Sequence, residues 1–193
     1  AINNYLRYLH IIFFIMPKKI VITGGPGSGK TSLIDFLEEN GYQCQHEISR
    51  QVTLEAKKKG IDQLFLSDPI LFSQLLLKGR LQQHQEVDHF KKTILFYDRG
   101  LPDVTAYMDF TNVSYPESFH MTCNKYRYGT VFILPPWKDI YIQDNERYET
   151  YEEAEKIHKF LTQSYQKYGY EVIEVPFGTL EERMKVMITH LEI

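Results

Sequence analysis

The chain reads as a three-layer α/β fold, a five-stranded parallel sheet with helices on both faces and a short lid. Three observations point there: five short apolar runs alternate with longer stretches of helical period, a glycine-rich turn follows the first run and opens a helix, and the third run ends on a carboxylate. At 193 residues the chain is long enough for one such domain with a substantial core and too short for two. The reading divides it into an N-terminal extension over residues 1–15 and one domain over 16–193.

The first expected strand is Lys19 to Thr23, and the helix after it runs from Lys30 to about Glu39, where Asn40-Gly41 supplies a left-handed stop. A second strand covers Gln43 to His46. Asp68-Pro69, an N-cap followed by proline at the first helical position, opens a long helix to about His89. Thr93 to Tyr97 is the third strand, Pro102 opens a further helix, and Thr130 to Leu134 is the fourth strand. The break Leu134-Pro135-Pro136-Trp137 begins a polar segment reaching about Glu149, a suitable length for a mobile lid. Tyr151, Ala154, Ile157, Leu161, Tyr165 and Tyr168 then repeat at helical spacing, Glu171 to Val175 is the fifth strand, and Leu180, Met184, Met187, Ile188 and Leu191 form a last apolar stripe. Both stripes are expected to be core faces.

Composition excludes several classes. A net charge of −3 argues against a protein that neutralises a nucleic-acid backbone, so no nucleic acid partner is expected. The basic runs Lys57-Lys58-Lys59 and Lys91-Lys92 read as solvated surface. Two cysteines, Cys44 and Cys123, form neither a disulfide framework nor a metal-ligand spacing, which fits a reducing cytoplasm. The apolar run Leu9 to Met16 is too short to span a bilayer and lacks a small-residue cleavage site, so no secretion or membrane contact is expected; an amphipathic docking helix is the other reading of residues 1–15.

The chemistry is concentrated in four places. Gly24-Gly25-Pro26-Gly27-Ser28-Gly29-Lys30-Thr31 matches G-x-x-x-x-G-K-[ST] between an apolar strand and a helix, and with Ser32 it is the expected nucleotide-binding loop. Glycines let successive N–H groups turn onto phosphate oxygens, Lys30 adds a point charge, and the Thr31 hydroxyl is placed to ligate Mg²⁺ carried with ATP or GTP. Asp98, ending the third strand, is the second expected metal ligand, with capping of the next helix as its alternative role. Arg99, directly after it, suits charge stabilisation on a transferring phosphoryl group or the grip on an acceptor, where a hydrolase would carry a glutamate. Glu47 with Arg50 beyond the second strand is the candidate general base and acceptor-positioning pair; the other reading of Glu47 is a carboxylate favoured by a helix N-terminus. Arg147, with Asp144 and Glu146, is the candidate lid arginine, and Pro176-Phe177-Gly178 could border the base. Asn124-Lys125-Tyr126-Arg127 lacks the aspartate of N-K-x-D, which weakens GTP-specific readings without excluding GTP.

Thr23 to Thr31, Tyr97-Asp98-Arg99-Gly100-Leu101-Pro102-Asp103, Leu134 to Trp137 and Asp144-Asn145-Glu146-Arg147-Tyr148-Glu149 together resemble the small AAA-type ATPase/kinase-like family of P-loop proteins. More distantly they are similar to the ribosylnicotinamide kinase domain of NadR and to nucleoside and nucleotide kinases. The resemblance covers Pro17 to the C-terminus and implies a P-loop fold of the nucleotide-kinase type that binds Mg²⁺ with ATP or GTP; it names no substrate. A kinase acting on a small-molecule acceptor such as a nucleoside, nucleotide or riboside is the leading expectation. A nucleotide-dependent switch that recruits a protein or lipid is second, and an oligomeric remodelling ATPase, which would need a further helical domain, is third.

Overall fold

Burial of the strands on both faces decides the architecture. The computed structural model describes residues 17–86, 93–141 and 149–192. Strand β1 (Lys18–Gly24) is apolar at every position from Ile20 to Ile22, and both its neighbours run parallel to it: β3 (Ile94–Asp98) on one side and β4 (Thr130–Leu134) on the other. The short strands β2 (Gln43–Gln45) and β5 (Val172–Glu174) close the edges in the order β2-β3-β1-β4-β5, all parallel. Short edge strands half-covered by neighbouring elements blunt an otherwise open pairing edge.

The period of two in β1 feeds two cores. Ile20 and Ile22 face Leu33, Ile34 and Leu37 of α1 (Lys30–Glu39) and Met187 of α8 (Leu180–His190); Val21 faces Leu76, Leu77, Val104 and Tyr165 on the opposite side. That second layer is built from α4 (Pro69–Gln85), α5 (Leu101–Phe110) and α7 (Tyr151–Lys167). Both C-terminal stripes are core faces as expected, with Tyr151, Leu180, Met184 and Ile188 only half-buried at their edges.

Local signals set the helix starts. Asp68 accepts the Leu71 N–H with Pro69 in the first position, and Thr150/Glu153 and Thr179/Glu182 form reciprocal capping boxes on α7 and α8. Gly41, at φ 84°, takes the left-handed turn that ends α1. The structure adds three helices that the pattern did not define: α2 (Ser49–Lys58), the single-turn α3 (Leu64–Ser67) and α6 (Glu117–Lys125). In α2 only Ala56 is buried, so its apolar period is too thin to read; Lys57 to Lys59 are exposed at its C-terminal end, where the helix dipole favours them. Helix α4 ends at Gln85, and the expected continuation to His89 falls partly outside the described residues, as do Lys91-Lys92, residues 1–15 and the lid residues Asp144, Glu146 and Arg147. Among the described residues no helix is long and apolar enough to cross a membrane.

Candidate functional site

Parallel strands send their carboxyl ends to one edge of the sheet, and the loops after β1, β2 and β3 meet there. The loop after β1 is shaped by two left-handed glycines, Gly27 at φ 71° and Gly29 at φ 73°. Its carbonyl groups are engaged on the outside. Ser28 Oγ donates to the Gly25 oxygen at 2.9 Å, the Trp137 N–H donates to the Gly27 oxygen at 3.1 Å, and Arg183 Nη2 donates to the Ser28 oxygen at 2.9 Å. Because a trans peptide is planar with C=O and N–H opposed, the anchored Gly27 and Ser28 carbonyls turn the next N–H groups, those of Ser28 and Gly29, away from Trp137 and Arg183 and into the cleft. Those N–H groups and the start of α1 form an anion cradle.

The cleft has a volume of about 190 Å³ and is lined by Gly25 to Ser32 with Arg50 and Arg99. That is smaller than the roughly 300 Å³ at which whole-ligand pockets begin, and matches a phosphate tail better than a nucleotide with its base. Gly24 lies behind the loop: a methyl group there would come within 2.8 Å of the Leu134 carbonyl oxygen, so its role is close packing of β1 on β4. Gly27 is the most constrained position, because a Cβ would lie 2.0 Å from the Tyr141 ring. Gly27→Ala is therefore expected to reshape the loop and to weaken nucleotide binding by at least about tenfold, read by calorimetry; left-handed backbone and ring clash act together.

Lys30 is 8 % exposed, and its ammonium bonds Asp98 Oδ1 directly. Burial first, and then Arg99, pull its pKa down, while Asp98 and Glu47 oppose that shift. Thr31 and Ser32 are exposed at the first turn of α1. Asp98 and Thr31 offer two hard oxygen donors, and among the described residues no cluster of three His, Cys, Asp or Glu side chains could hold a metal alone. Such a set fits Mg²⁺, which takes one or two protein oxygens and completes its shell with phosphate and water.

Behind the loop lies an ion network. Arg99 adopts a left-handed backbone, φ 74°, unusual for a residue with a side chain and characteristic of strained functional positions. Its Nε contacts Glu47 Oε2 at 2.5 Å, its Nη1 donates to Asp103 Oδ1 at 3.2 Å, and its guanidinium lies 5.4 Å from the centre of the Tyr107 ring. Asp103, fully buried, also accepts Thr23 Oγ1 at 2.6 Å, Tyr165 OH at 2.5 Å and the Gly100 N–H at 2.9 Å, so every lone pair that orients Arg99 is itself held. Glu47 receives Arg80 Nη2 on both oxygens, at 3.0 and 3.2 Å, and the N–H groups of Ile48 and Ser49 on Oε1. Burial alone would raise the Glu47 pKa, but Arg80, Arg99 and Lys30 outweigh it and hold the carboxyl down at about 2.

The structure thus brings Lys30, Asp98, Arg99, Arg50 and the loop together around one cleft, with Glu47 pairing Arg99 behind it. Glu47 accepts the N–H groups that open α2, as its helix N-terminal reading expects, and its depressed pKa makes it a weak general base. Sequence reasoning missed Arg80 and Arg183. Arg80 shares a stripe with Ser73, Leu76, Leu77 and His84 on α4, and Arg183 falls three residues after Leu180 on α8; an arginine inside an apolar stripe was the available signal. Cys44 and Cys123 are thiols whose pKa burial pushes up to about 12, consistent with packing.

Solved structures share this fold. The deoxyadenosine kinase of M. mycoides, with products dCMP and dCDP bound, aligns at a TM-score of 0.65 and 17 % identity over 90 % of this chain and 98 % of its own. The NadR protein in complex with NR aligns at 0.67 and 16 % identity over 91 % of this chain and 50 % of its own, so the chain spans about half of that protein. At these identities the likeness is one of fold. Among curated proteins none matches the chain by sequence. A family model described as an AAA domain matches residues 19–183, and on that match, with the phosphate loop and strand order above, the chain belongs to the AAA domain family of P-loop proteins.

Proposed function

We propose that the chain is a Mg²⁺-dependent kinase that transfers the γ-phosphoryl group of ATP or GTP to a small-molecule acceptor such as a nucleoside, nucleotide or riboside. The observation that carries this reading is the Glu47, Arg80, Arg99 and Asp103 ion network beside the phosphate cleft, buried at Arg80 and Asp103, which presents an arginine where a hydrolase would present a water-activating glutamate. Lys30 and the inward N–H groups would hold the β- and γ-phosphates, and Thr31 and Asp98 would hold Mg²⁺, which when bound offsets charge on the bridging oxygens. Asp98 would then exchange its Lys30 contact for the metal while Lys30 moves to phosphate.

Arg99 would meet the transferring group, and Arg50, on the first turn of α2, would position the acceptor. Glu47, a weak base at a pKa of about 2, would orient the acceptor hydroxyl by accepting its hydrogen bond. A loose, metaphosphate-like transition state asks for little more, since the acceptor proton leaves late, to an oxygen of the transferred phosphoryl group or to solvent, after the bond to the leaving phosphate has largely broken. Arg147 of the lid is proposed to close over the phosphates. Phe177, exposed and stacked on Trp137 at 5.1 Å, would offer its outer face to the base.

The test is a panel of nucleosides, nucleotides and ribosides incubated with Mg·ATP or Mg·GTP, with phosphorylated products read by mass spectrometry. At least one acceptor is expected to gain 80 Da at a rate well above solvent hydrolysis (about 10-fold or more, the scale of a positioned acceptor); nucleotide binding with no product from any of them would remove the kinase reading. A second reading, a nucleotide-dependent switch, is favoured by one feature: Leu54, Phe65, Leu66, Ile70, Leu71 and Leu75 are all exposed along α2, α3 and α4, a run of apolar surface suited to a partner.

A further inference from the structure

Arg183 is 2 % exposed, yet among the described residues no carboxylate pairs with it. Its neighbour Glu182 is committed elsewhere, accepting the Thr179 N–H at 2.8 Å in the capping box that starts α8. The guanidinium instead donates to the Ser28 oxygen, lies 5.9 Å from the centre of the Trp137 ring, and comes within 3.0 Å of where a Cβ on Gly29 would stand. Its Nε is buried with no hydrogen-bond partner. A full positive charge is therefore held out of water against the back of the phosphate loop by one carbonyl and one aromatic face, an arrangement that costs stability.

The bond from Arg183 ends on the oxygen of the Ser28–Gly29 peptide, and in a trans peptide the N–H of that same unit points the opposite way, toward the cleft that Ser28 and Gly29 line and Arg183 does not. Drawing electron density toward the carbonyl oxygen makes the N–H a better donor on the other side. We infer that Arg183 is a positioning residue of the phosphate site, fixing the Ser28–Gly29 peptide with its N–H inward and lending it positive charge, so that a bound polyphosphate offsets the burial of the guanidinium. The inference rests on the phosphate-loop reading above. It gives Arg183 an unusual signature, because the residue weakens the empty protein while strengthening the occupied one. Burial lowers its pKa, as expected of a cation without a carboxylate.

The experiment compares wild type, Arg183→Met and Arg183→Lys by calorimetry with Mg·ATP and with inorganic tripolyphosphate, and by thermal unfolding without ligand. Arg183→Met is expected to bind both probes about tenfold more weakly, the scale of one charge-assisted hydrogen bond, while its ligand-free Tm stays level with wild type or rises. Arg183→Lys, which keeps the charge, is expected to recover most of the affinity. A methionine variant whose Tm and affinity fall together, including one that does not fold, overturns the inference, since that is the behaviour of a packing residue. So does one whose affinity stays within about twofold of wild type, which is less than the loss of such a bond. If wild type itself binds neither probe, the phosphate-loop reading falls and this inference with it.

Discussion

Lys30→Ala is expected to lose Mg·ATP and Mg·GTP binding by at least about a hundredfold, since it removes the point charge and its charge-assisted bonds to phosphate. Calorimetry at matched protein concentration checks it. The geometry adds a condition on how the result is read. Lys30 is buried on Asp98, so deleting the ammonium also leaves a buried carboxylate without its partner. Breaking one half of such a pair typically costs about 3–5 kcal/mol, enough to unfold a marginal domain and mimic a binding defect. The double substitution Lys30→Met with Asp98→Asn removes both charges and separates the effects: it is expected to regain thermal stability over Lys30→Ala while binding no better. Recovery of nucleotide binding in the double variant would contradict the role given to Lys30.

The second large effect is at Glu47. Glu47→Gln keeps the shape and removes the negative charge that two arginines share, so Arg80 loses its ion-pair partner while Arg99 keeps only Asp103 and is held less firmly toward the cleft. Phosphoryl transfer is expected to fall about 10² to 10³-fold in kcat with nucleotide KM changed little, because the carboxylate holds the arginine proposed to meet the transferring group and, among the described residues, makes no contact with the phosphate loop. Stability follows pH with a defined sign. The folded carboxyl is held at about 2 against an ordinary 4.5, so its stabilisation is complete above pH 4.5 and is lost as pH falls toward 2. The shift corresponds to about 3 kcal/mol. Wild type is therefore expected to show a steeper acid limb in denaturant titrations than Glu47→Gln, with the two curves converging near pH 2. Parallel limbs would mean that Glu47 titrates normally in the folded state.

What could be read in the sequence was local. Lys30 to Glu39 as a helix, Thr130 to Leu134 as a strand and the loop between Gly24 and Thr31 each follow from neighbouring residues, because caps, glycine conformations and apolar period act over a few positions. Asp98 and Arg99 were legible because strand ends converge in a parallel sheet, whatever the rest of the chain does. The supports of the site were not. Arg80 reaches Glu47 across 33 positions and Arg183 reaches Ser28 across 155, and no local pattern specifies which buried arginine meets which acceptor. Helix α2 escaped for a different reason: with only Ala56 buried, its stability comes from Ile48 and Val52 packing at the rim of the core, contacts that leave no clear stripe.

Trp137 is the chain's single tryptophan, and its amide holds the Gly27 carbonyl while its ring lies on Phe177 and beside Arg183. All indole emission from the native protein consequently originates at the back of the phosphate loop. A guanidinium and an exposed phenyl ring set the polarity around that indole, so any rearrangement of the loop changes wavelength and quantum yield without a dye or a label. The molecule carries its own optical gauge, and stopped-flow traces on unmodified protein would time the loop directly.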